Sequence, residues 1–446
     1  MLLRRVGLLL RDYETMHVSV ESGDGLERRM TVALPSEQIE AEVEKRLKGF
    51  ARSARLPGFR PGKVPVKILR QRYGDQLTQE VFGDLVQSSF GEAVSQESLR
   101  PAGPPRVEPS IDRNEKRYAY TAVFEVLPQF ELGALEGKVI KRPTAEVTDG
   151  DLDELIEKLR RQRKTWLLVE RPAQEGDRVT VAFTGIIDGE PFEGGTADDA
   201  EIELGSGRMI PGFENGLIGA GAGEERTLEL SFPEDYHAEH LKGKSVTFEV
   251  RVKAVSEPKL PEIDAEFARA FGVEDGDVER FRQDVRANME RELKQRLQSR
   301  IKNQVMDLLI DANAIDLPRV LIKEEVKSLK EQARQNIGGG RFELPDEMFE
   351  DSARRRVALG LIIAELVKVN DIRVDSDRVR SVVEDMASTY EQPQEVIDYY
   401  YSNKARLQPL ESLTLEDQVV DWVLDRVTVE DEPSSFQQLT NPAHES

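Results

Sequence analysis

Cysteine is absent from this sequence of 446 residues. Its absence excludes a disulfide framework, a zinc site with thiolate ligands and a cysteine nucleophile. A chain without cysteine also fits a reducing compartment, so we expect the protein to be cytoplasmic.

Long apolar runs are missing as well. Val6–Leu10 follow Arg4 and Arg5 as in a signal peptide, but this stretch is shorter than the roughly 7–15 residues that such a segment needs. No other run approaches the ~20 apolar residues of a membrane span. We therefore predict no membrane contact, and we expect residues 1–15 to be a disordered extension ahead of a functional start at Met16.

Positive charge is in deficit over the whole chain. Lys and Arg number 62 against 84 Asp and Glu, which gives a net charge of -22. An acidic chain of this kind is neither a dedicated nucleic-acid binder nor a protein that adheres to anionic membranes. We therefore predict no DNA partner, and any contact with RNA has to come from a local basic surface.

The patterns that are present divide the chain into regions and predict a multidomain α+β protein, since its length suits about three domains. Residues 16–127 mix strand and helix patterns, and residues 128–164 are a linker that ends in a short charged helix. Residues 165–256 are rich in strands and glycine, which predicts a small half-barrel sheet with one brief helix. Helical periodicity dominates residues 257–430, and residues 431–446 are expected to be a disordered tail.

Several local signals predict individual elements. In the first region, "HVSV" and "RRMTVAL" flank the turn "SGDG" as a hairpin, and "RYAYTAVFEVLP" closes the region as a strand. Ser36 is the expected N-cap of one helix, and a second helix is predicted over "DQLTQEVFGDLVQSSFGEAV". Thr148 and Asp151 predict a capping box at the start of the linker helix.

The stretch "GFRPGKVP", Gly58–Pro65, combines glycine, proline, cations and one aromatic ring. A phosphate-binding Walker loop is excluded, because only three residues separate the glycines and Lys63 is followed by Val64 instead of Ser or Thr. Two interpretations remain, a turn between helices and an exposed docking tip. An exposed Phe59 between glycine and proline favours the tip, since large exposed apolar side chains mark partner sites.

The charge around this stretch is opposite to that of the whole chain. No Asp or Glu occurs from residue 45 to 74, and the cations of this segment are Lys45, Arg46, Lys48, Arg52, Arg55, Arg60, Lys63, Lys67, Arg70 and Arg72. Such a basic patch suits phosphate or an acidic protein surface. An aromatic side chain next to an arginine is also the usual composition of an interface hot spot.

The strand-rich region offers neither metal ligands nor a Ser/His/Asp set. His237 and His240 are three residues apart, but no glutamate follows them in a zinc-protease pattern, so we predict no metal site and no cofactor. What recurs instead are aromatic and aliphatic residues within "VAFTG", "GEPFEGG", "GRMIPGFENGL", "FPEDYHAEHLKGK" and "VTFEV". These residues are either the core of a small domain or the lining of an apolar cleft.

Together these motifs and their order resemble the bacterial trigger factor family, with "GFRPGKVP" in the position of its ribosome-docking tip. The resemblance implies a ribosome-binding site at Gly58, Phe59, Arg60, Pro61, Gly62 and Lys63. Its partners would be a ribosomal protein and local RNA beside the nascent-chain exit tunnel of the large subunit. The family often has lysine where this chain has Pro61, and the neighbouring Lys63 is expected to supply the cation.

The strand-rich region is similar to the FK506-binding-protein family of peptidyl-prolyl isomerases, in the form embedded in trigger factor. The similarity implies that a proline-sized cleft is formed by Phe183, Phe192, Glu193, Ile210, Phe213, Tyr236 and Phe248. Glu193 replaces the aspartate of single-domain members and Phe213 replaces their tryptophan, changes that we expect the activity to survive. An apolar cleft needs no acid or base, because removing the imide from water disfavours its charge-separated resonance form, which stiffens the C–N bond.

The helical region contains no nucleotide-binding loop, so its role is passive. Its apolar residues either all face inward or form, as the resemblance implies, an open cradle for unfolded chains. Adaptable methionines suited to such a cradle are Met289, Met306, Met348 and Met386.

Together with these observations, the resemblance implies an ATP-independent, ribosome-associated chaperone that binds nascent and unfolded polypeptides and isomerises X-Pro bonds. The resemblance leaves open a homodimer away from the ribosome. One alternative is a free cytoplasmic prolyl isomerase whose helical regions bind clients without ribosome docking. A second alternative is a structural scaffold with an inactive cleft.

Overall fold

The structure, a computed structural model, describes residues 16–440 except positions 55, 58, 60–62, 113–116, 337–343, 389 and 391. The expected extension over residues 1–15 therefore lies outside the described residues. Within the described chain there are two compact units. One consists of the residues up to Arg142 together with Arg300–Glu430, and the other of Pro143–Ser299 together with the residues from Asp431 onward.

The first unit begins with an antiparallel sheet of strand order β1-β2-β4-β3, formed by β1 (His17–Ser22), β2 (Glu27–Leu34), β3 (Arg106–Asp112) and β4 (Arg117–Glu125). The hairpin and the closing strand predicted from the sequence are confirmed. Met30, Val32 and Leu34 alternate along β2 and are buried, as expected for a strand with one face on a core.

Two helices complete this part of the core, α1 (Ser36–Ala51) and α2 (Val66–Gln96). The N-cap position of α1 is Pro35, so the predicted cap at Ser36 is wrong by one residue. Helix α2 begins well before the predicted segment, directly after Pro65, because its first turns already bury Leu69 in the core. Ile39, Val43 and Leu47 of α1 pack into the same core.

The linker region contains a strand and the predicted helix, β5 (Val139–Thr144) and α3 (Asp149–Gln162). The capping box is confirmed. The Thr148 hydroxyl oxygen accepts from the Asp151 amide at 3.2 Å, and the Asp151 carboxylate accepts from the Thr148 amide at 3.0 Å. Helix α3 buries Leu152 and Ile156 against later helices of the second unit, so this linker has a core of its own.

The strand-rich region folds as predicted into one antiparallel sheet with a short helix. Its elements are β6 (Thr165–Val169), β7 (Arg178–Ile187), β8 (Glu190–Glu203), α4 (Phe213–Leu217), β9 (Glu225–Ser231) and β10 (Ser245–Lys259). The long strand β10 pairs with β7, β9 and β6, and β8 pairs with β7. Helix α4 packs its apolar side chains into the core of this sheet.

The remaining helices are α5 (Ala265–Ala270), α6 (Val278–Ala312), α7 (Arg319–Asn336), α8 (Glu347–Val369), α9 (Ser376–Ala387), α10 (Pro393–Tyr401) and α11 (Lys404–Leu424). The long helix α6 contributes to two cores. Phe281 and Met289 pack with α3 in the second unit, whereas Val305 and Leu309 pack with α8 and α11 in the first. The predicted helical region from residue 257 is therefore divided between the units at Ser299.

The expected disorder of residues 431–446 is wrong for residues 431–440. Strand β11 (Thr428–Pro433) pairs with β5, and a short helix, α12 (Phe436–Thr440), follows it. The polar composition of this segment gives no sign of the two kinds of contact that order it. Backbone groups at its ends bond to the β5 segment, as in the Ser434 amide to the Thr144 carbonyl at 2.8 Å, and Leu439 is buried. Residues 441–446 lie outside the described part.

Among the helices of the described residues, none has the length and apolar character needed to cross a bilayer.

Candidate functional site

The sheet of the second unit brings three distant phenylalanines together. Phe183 on β7, Phe213 at the start of α4 and Phe248 on β10 contact one another edge-on, with ring centroids 5.1–5.7 Å apart. Edge-to-face contacts of this kind are favourable because the positive ring edge meets the negative ring face. Phe213 and Phe248 are buried and Phe183 is half-buried, so the first two form a floor beneath the third.

Phe192 extends this aromatic floor towards the surface. Its ring lies 6.3 Å from that of Phe248 and is half-buried. The ring needs glycine beneath it, because a Cβ at Gly185 or at Gly195 would lie about 2.5–2.6 Å from its Cε1 atom. These two glycines, one on β7 and one on β8, therefore let an aromatic side chain lie flat against the backbone.

Two further aromatic residues continue the row. Phe232 stands 5.9 Å from Phe192 and 4.8 Å from Tyr236, measured between ring centroids. Among the described residues, the Tyr236 hydroxyl has no hydrogen-bond partner, and the ring is half-buried between Phe232 and His237. A phenol of this kind is able to donate to a carbonyl oxygen that comes within reach of it. Sequence reasoning missed Phe232, although "SFPEDY" places it beside the recognised Tyr236.

Two of the predicted site residues lie outside the row of rings. Ile210 is half-buried and packs against the same core from the loop before α4. Glu193 is exposed, and no hydrogen bond or ion pair joins it to another described residue. The structure thus brings six of the predicted residues to one core and leaves Glu193 at the surface.

One carboxylate organises the loop that carries Ile210. Glu214, in the first turn of α4, is buried and accepts from the backbone amides of four residues and from one hydroxyl. Burial raises the pKa of Glu214, but the hydrogen bonds from Gly207, Met209, Ser206 and Gly205 outweigh it and hold the pKa below the ordinary value. The sequence reasoning quoted the segment "GRMIPGFENGL" but did not single out this glutamate.

A second buried carboxylate supports the start of β7. Asp177 accepts from both guanidinium nitrogens of Arg171, at 2.6 and 3.0 Å, and from the Gln174 amide at 2.8 Å. Burial raises the pKa of Asp177, and these hydrogen bonds lower it by more, so that its pKa lies below the ordinary value. Arg171 also reaches Glu257 on β10 at 3.1 Å, which ties the loop before β7 to the central strand of the sheet.

No group of three or more His, Cys, Asp or Glu side chains suited to a metal ion occurs in the part of the chain that the structure describes.

The other predicted site lies between α1 and α2 of the first unit. Gly58, Arg60, Pro61 and Gly62 fall outside the described residues. Phe59 is described and 40% exposed, and Lys63 is exposed as well. Ala54, Leu56 and Val64 are buried on either side of this loop and anchor its base in the core.

Carboxylates from outside residues 45–74 neutralise part of the basic patch. Lys45 pairs with Glu42 at 3.0 Å, and Lys48 pairs with Glu44 at 2.9 Å. Arg46 pairs with Asp84 across the two helices. Glu42 and Glu44 lie just before residue 45, whereas Asp84 is distant in the sequence and its contact with Arg46 follows only from the packing of the two helices.

The cations that form no ion pair with any described residue are Arg52, Lys63, Lys67, Arg70 and Arg72. These cations occur at the loop end of α1, in the loop and at the loop end of α2. The pKa of Glu44 is lowered first by its hydrogen bond from Lys48 and, to a smaller degree, by the charge of Arg70. The cations without an ion pair therefore lie in the segments that flank Phe59 in the sequence.

The central region of the second unit is an antiparallel sheet with a short helix against its core and a row of aromatic side chains. These features define it as an isomerase domain of the FK506-binding-protein type. Residues 169–253 match the family model of FKBP-type peptidyl-prolyl cis-trans isomerases. Residues 16–159 match the model of the bacterial trigger factor protein, and residues 277–425 match that of its C-terminus.

Curated relatives match over nearly the whole chain. The trigger factor of Thioalkalivibrio sulfidiphilus is 50% identical over 432 residues, which cover 96% of this chain and 99% of the relative. That of Pseudomonas syringae pv. syringae is 48% identical over 429 residues, covering 96% and 98%. The chain belongs to the bacterial trigger factor family, and it is a chaperone with an FKBP-type peptidyl-prolyl isomerase domain.

A solved structure of the trigger factor chaperone, described for promiscuous substrate recognition in folding and assembly, is 19% identical with a TM-score of 0.46. The match covers 92% of this chain and 99% of the chain in that structure. The family assignment depends on the sequence matches and not on this superposition.

Proposed function

We propose that this chain is an ATP-independent chaperone of the cytoplasm that docks on the large ribosomal subunit, binds nascent polypeptides at the tunnel exit and isomerises their X-Pro bonds. The observation that carries the docking half is the exposed Phe59 ring in a loop whose flanking segments carry cations without an ion pair to any described residue. In a chain of net charge -22, a local surface of this kind suits RNA phosphate and an acidic or apolar protein partner.

For the isomerase half, we propose a cleft in which the substrate proline contacts half-buried side chains above a buried floor. Phe183, Phe192, Ile210 and Tyr236 are accessible enough to touch a substrate. Phe213 and Phe248 are too deeply buried to do so, and they would act by supporting the accessible rings. Glu193 has the least support among the predicted residues, because it lies exposed and outside the aromatic row.

The proposed cleft is apolar, and its chemistry needs no acid or base. Rotation about a peptide bond has a barrier of ~18–20 kcal/mol because resonance gives the C–N bond double-bond character. An apolar cleft disfavours the charge-separated resonance form, and a hydrogen bond from the Tyr236 hydroxyl would hold the substrate carbonyl while the imide twists. No proton transfer and no covalent intermediate are required.

For client binding, we propose the exposed apolar side chains of the helical part of the first unit. The most accessible are Met348, Val369, Tyr390, Tyr399, Tyr401 and Leu413. Tyr390 and Tyr399 also line an open groove of about 590 Å³ formed by α10 and the loop that precedes it. Met289 and Met306 are excluded as client contacts, because both are buried in cores.

The experiment that tests docking is co-sedimentation of the full chain with large ribosomal subunits. Phe59→Ala should weaken binding by about 10- to 30-fold, the effect of losing an interface hot spot. Phe50→Ala is the matched control, because Phe50 is about as exposed on α1 but stacks edge-on against Tyr73 at 5.1 Å. Unchanged binding of the Phe59 variant would favour the free isomerase.

A further inference from the structure

The loop before α4 has no sheet or helix to determine its shape. Residues 205–212 connect β8 to α4 and bring Met209 and Ile210 to the aromatic core. Gly205, Gly207 and Gly212 have φ values of 91°, 67° and 91°, a region in which side chains are strained. A Cβ at Gly212 would also lie 2.7 Å from Leu230.

The backbone amides of this loop converge on the Glu214 side chain. Its Oε2 accepts from the amides of Gly205 at 2.8 Å and Gly207 at 3.1 Å. Its Oε1 accepts from the amides of Arg208 at 2.9 Å and Met209 at 3.1 Å, and from the Ser206 hydroxyl at 3.1 Å. The loop therefore has one common hydrogen-bond partner, and that partner is 7% exposed.

The charge of Glu214 has no compensating cation. Among the described residues, Glu214 forms no ion pair, so the loop amides and the Ser206 hydroxyl are what offset its desolvation. Hydrogen bonds that involve an ionised acceptor are about twice as strong as neutral ones. The ionised carboxylate and the observed loop conformation thus stabilise each other.

We propose that Glu214 is a positioning residue of the isomerase, which holds residues 205–210 so that Met209 and Ile210 form one wall of the substrate cleft. Glu214 does not touch the substrate and acts through the loop. The inference depends on the proposed cleft, which Phe192→Ala tests independently: an undiminished rate in Phe192→Ala contradicts the cleft itself, whatever Glu214 does.

Glutamine cannot replace this glutamate, although its shape is nearly the same. Each carboxylate oxygen accepts at least two hydrogen bonds, whereas the amide of glutamine offers one acceptor oxygen and one NH2 group. In either orientation the NH2 group faces backbone N–H donors. Glu214→Gln should therefore release the loop without creating a cavity.

The test measures isomerisation of a short X-Pro peptide by the full-length protein, together with local hydrogen exchange by mass spectrometry. Glu214→Gln should lower kcat/KM by about 10- to 100-fold, since small misplacements of substrate-positioning groups have effects of this size. Exchange should accelerate in the peptide covering residues 204–212 and stay unchanged in β7 and β10.

Glu224→Gln is the matched control. Glu224 also caps a loop of the same domain, accepting from the Gly221 amide at 2.9 Å and from Arg226 at 2.8 Å. Its loop carries none of the proposed cleft residues, so we expect kcat/KM to stay within about twofold of the parent.

Three results would overturn the proposal. The first is an undiminished kcat/KM in Glu214→Gln, with or without faster exchange of the loop. This result would mean that isomerisation does not need the ordered loop. The second is a loss of activity with faster exchange throughout the sheet, which would make the residue merely structural. The third is an equal loss in Glu224→Gln.

Ser206→Ala is a second test of the proposal, for the case that the Glu214→Gln protein does not fold. The substitution removes one of the hydrogen bonds to Glu214 at an exposed position. A loss in kcat/KM of about threefold, with faster exchange confined to the loop, is the expected intermediate result. A Ser206→Ala protein with parental kcat/KM and faster loop exchange would contradict the role of the loop.

Discussion

The isomerase cleft and the basic loop use aromatic side chains in opposite ways. In the cleft, Phe213 is fully buried and three rings contact one another edge-on, so each ring is held by its neighbours. In the loop, Phe59 is 40% exposed above a buried base. A ring buried among other rings contributes to the stability of its domain, whereas an exposed ring such as Phe59 contributes little to the stability of the folded chain.

The largest expected effect is on stability at the floor of the cleft. Phe213→Ala should lower the free energy of unfolding of the isomerase domain by about 3–5 kcal/mol, because it leaves a cavity among Phe183, Phe248 and Leu217. Phe59→Ala should change the free energy of unfolding of the first unit, to which it belongs, by less than about 0.5 kcal/mol, as is usual at surface positions. Equal destabilisation by both substitutions would contradict the comparison.

This measurement needs a reporter in the right domain. The chain has two tryptophans, Trp166 on β6 and Trp422 on α11. In a Trp422→Phe background, urea unfolding followed by Trp166 fluorescence reports on the isomerase domain. In a Trp166→Phe background, Trp422 fluorescence reports on the first unit, which contains Phe59. The ring of Trp166 lies 4.8 Å from Lys164 and 4.9 Å from Arg178, so its emission should change when the domain opens.

The next effect concerns the rate of isomerisation. Phe192→Ala should reduce kcat/KM for an X-Pro peptide by about 10- to 100-fold, because the substrate imide would lose an apolar wall. Ribosome binding of the same variant should be unchanged. The matched control is Phe50→Ala, an exposed ring of the first unit that should leave the rate at the parental value. An undiminished rate in Phe192→Ala would contradict the cleft.

A smaller effect should appear in the acid stability of the isomerase domain. Because the folded pKa of Asp177 is depressed, the unfolded chain takes up the proton first as the pH falls. The stabilisation is therefore complete above the ordinary aspartate value near 3.8 and is lost as the pH falls through the lower folded pKa. Asp177→Asn should cost about 1.5 kcal/mol at neutral pH, and the difference from the parent should shrink as the pH falls below the ordinary aspartate value near 3.8.

The control for Asp177 is an exposed ion pair in the same domain. Asp199 pairs with Lys253 at 2.7 Å, but its side chain is 72% exposed. Asp199→Asn should change the unfolding free energy by less than about 0.5 kcal/mol. Urea unfolding of both variants across the same pH range separates the two cases, and parallel curves for Asp177→Asn and the parent would disprove the assignment.

The smallest effects should come from single cations of the basic patch. Replacing Arg52 and Arg72 by alanine should weaken ribosome binding and reduce the slope of log affinity against log salt by about 1 for each phosphate that is no longer neutralised. Lys45 and Lys48 lie on the same surface but are paired with Glu42 and Glu44. Their alanine variants should change the slope less. A larger change in the Lys45 and Lys48 variants would show that pairing within the chain does not decide which cations contact the ribosome.

Much of the fold was accessible to reasoning from local patterns. The β1–β2 hairpin, the capping box at Thr148 and the strands of the isomerase domain all follow from short-range signals, and the structure confirms them. Strand β3 was missed because Pro109 lies in its middle, and the order of residues 431–440 was missed because it depends on a distant strand.

The aromatic candidates were recognised by their resemblance to a family, but their division into floor and wall was not. Burial of Phe213 and Phe248 results from the packing of α4 against β7 and β10, elements far apart in the chain. Glu214 and Phe232 had only weak signals, an acidic residue near a glycine-rich turn and one more aromatic residue. Their importance depends on contacts that no spacing rule predicts.

The sequence by itself determined the class of the protein, the order of its regions and the segments that carry the candidate chemistry. These properties depend on composition, periodicity and local turns, which act over a few residues. Tertiary structure alone decided which cations are neutralised, which rings are accessible and which carboxylate organises the cleft loop. The burial of the rings and the pairing of Arg46 on α1 with Asp84 on α2 depend on contacts between residues distant in the chain. The bonds from the loop to Glu214 are short in sequence, but they require a loop shape that no local pattern predicts.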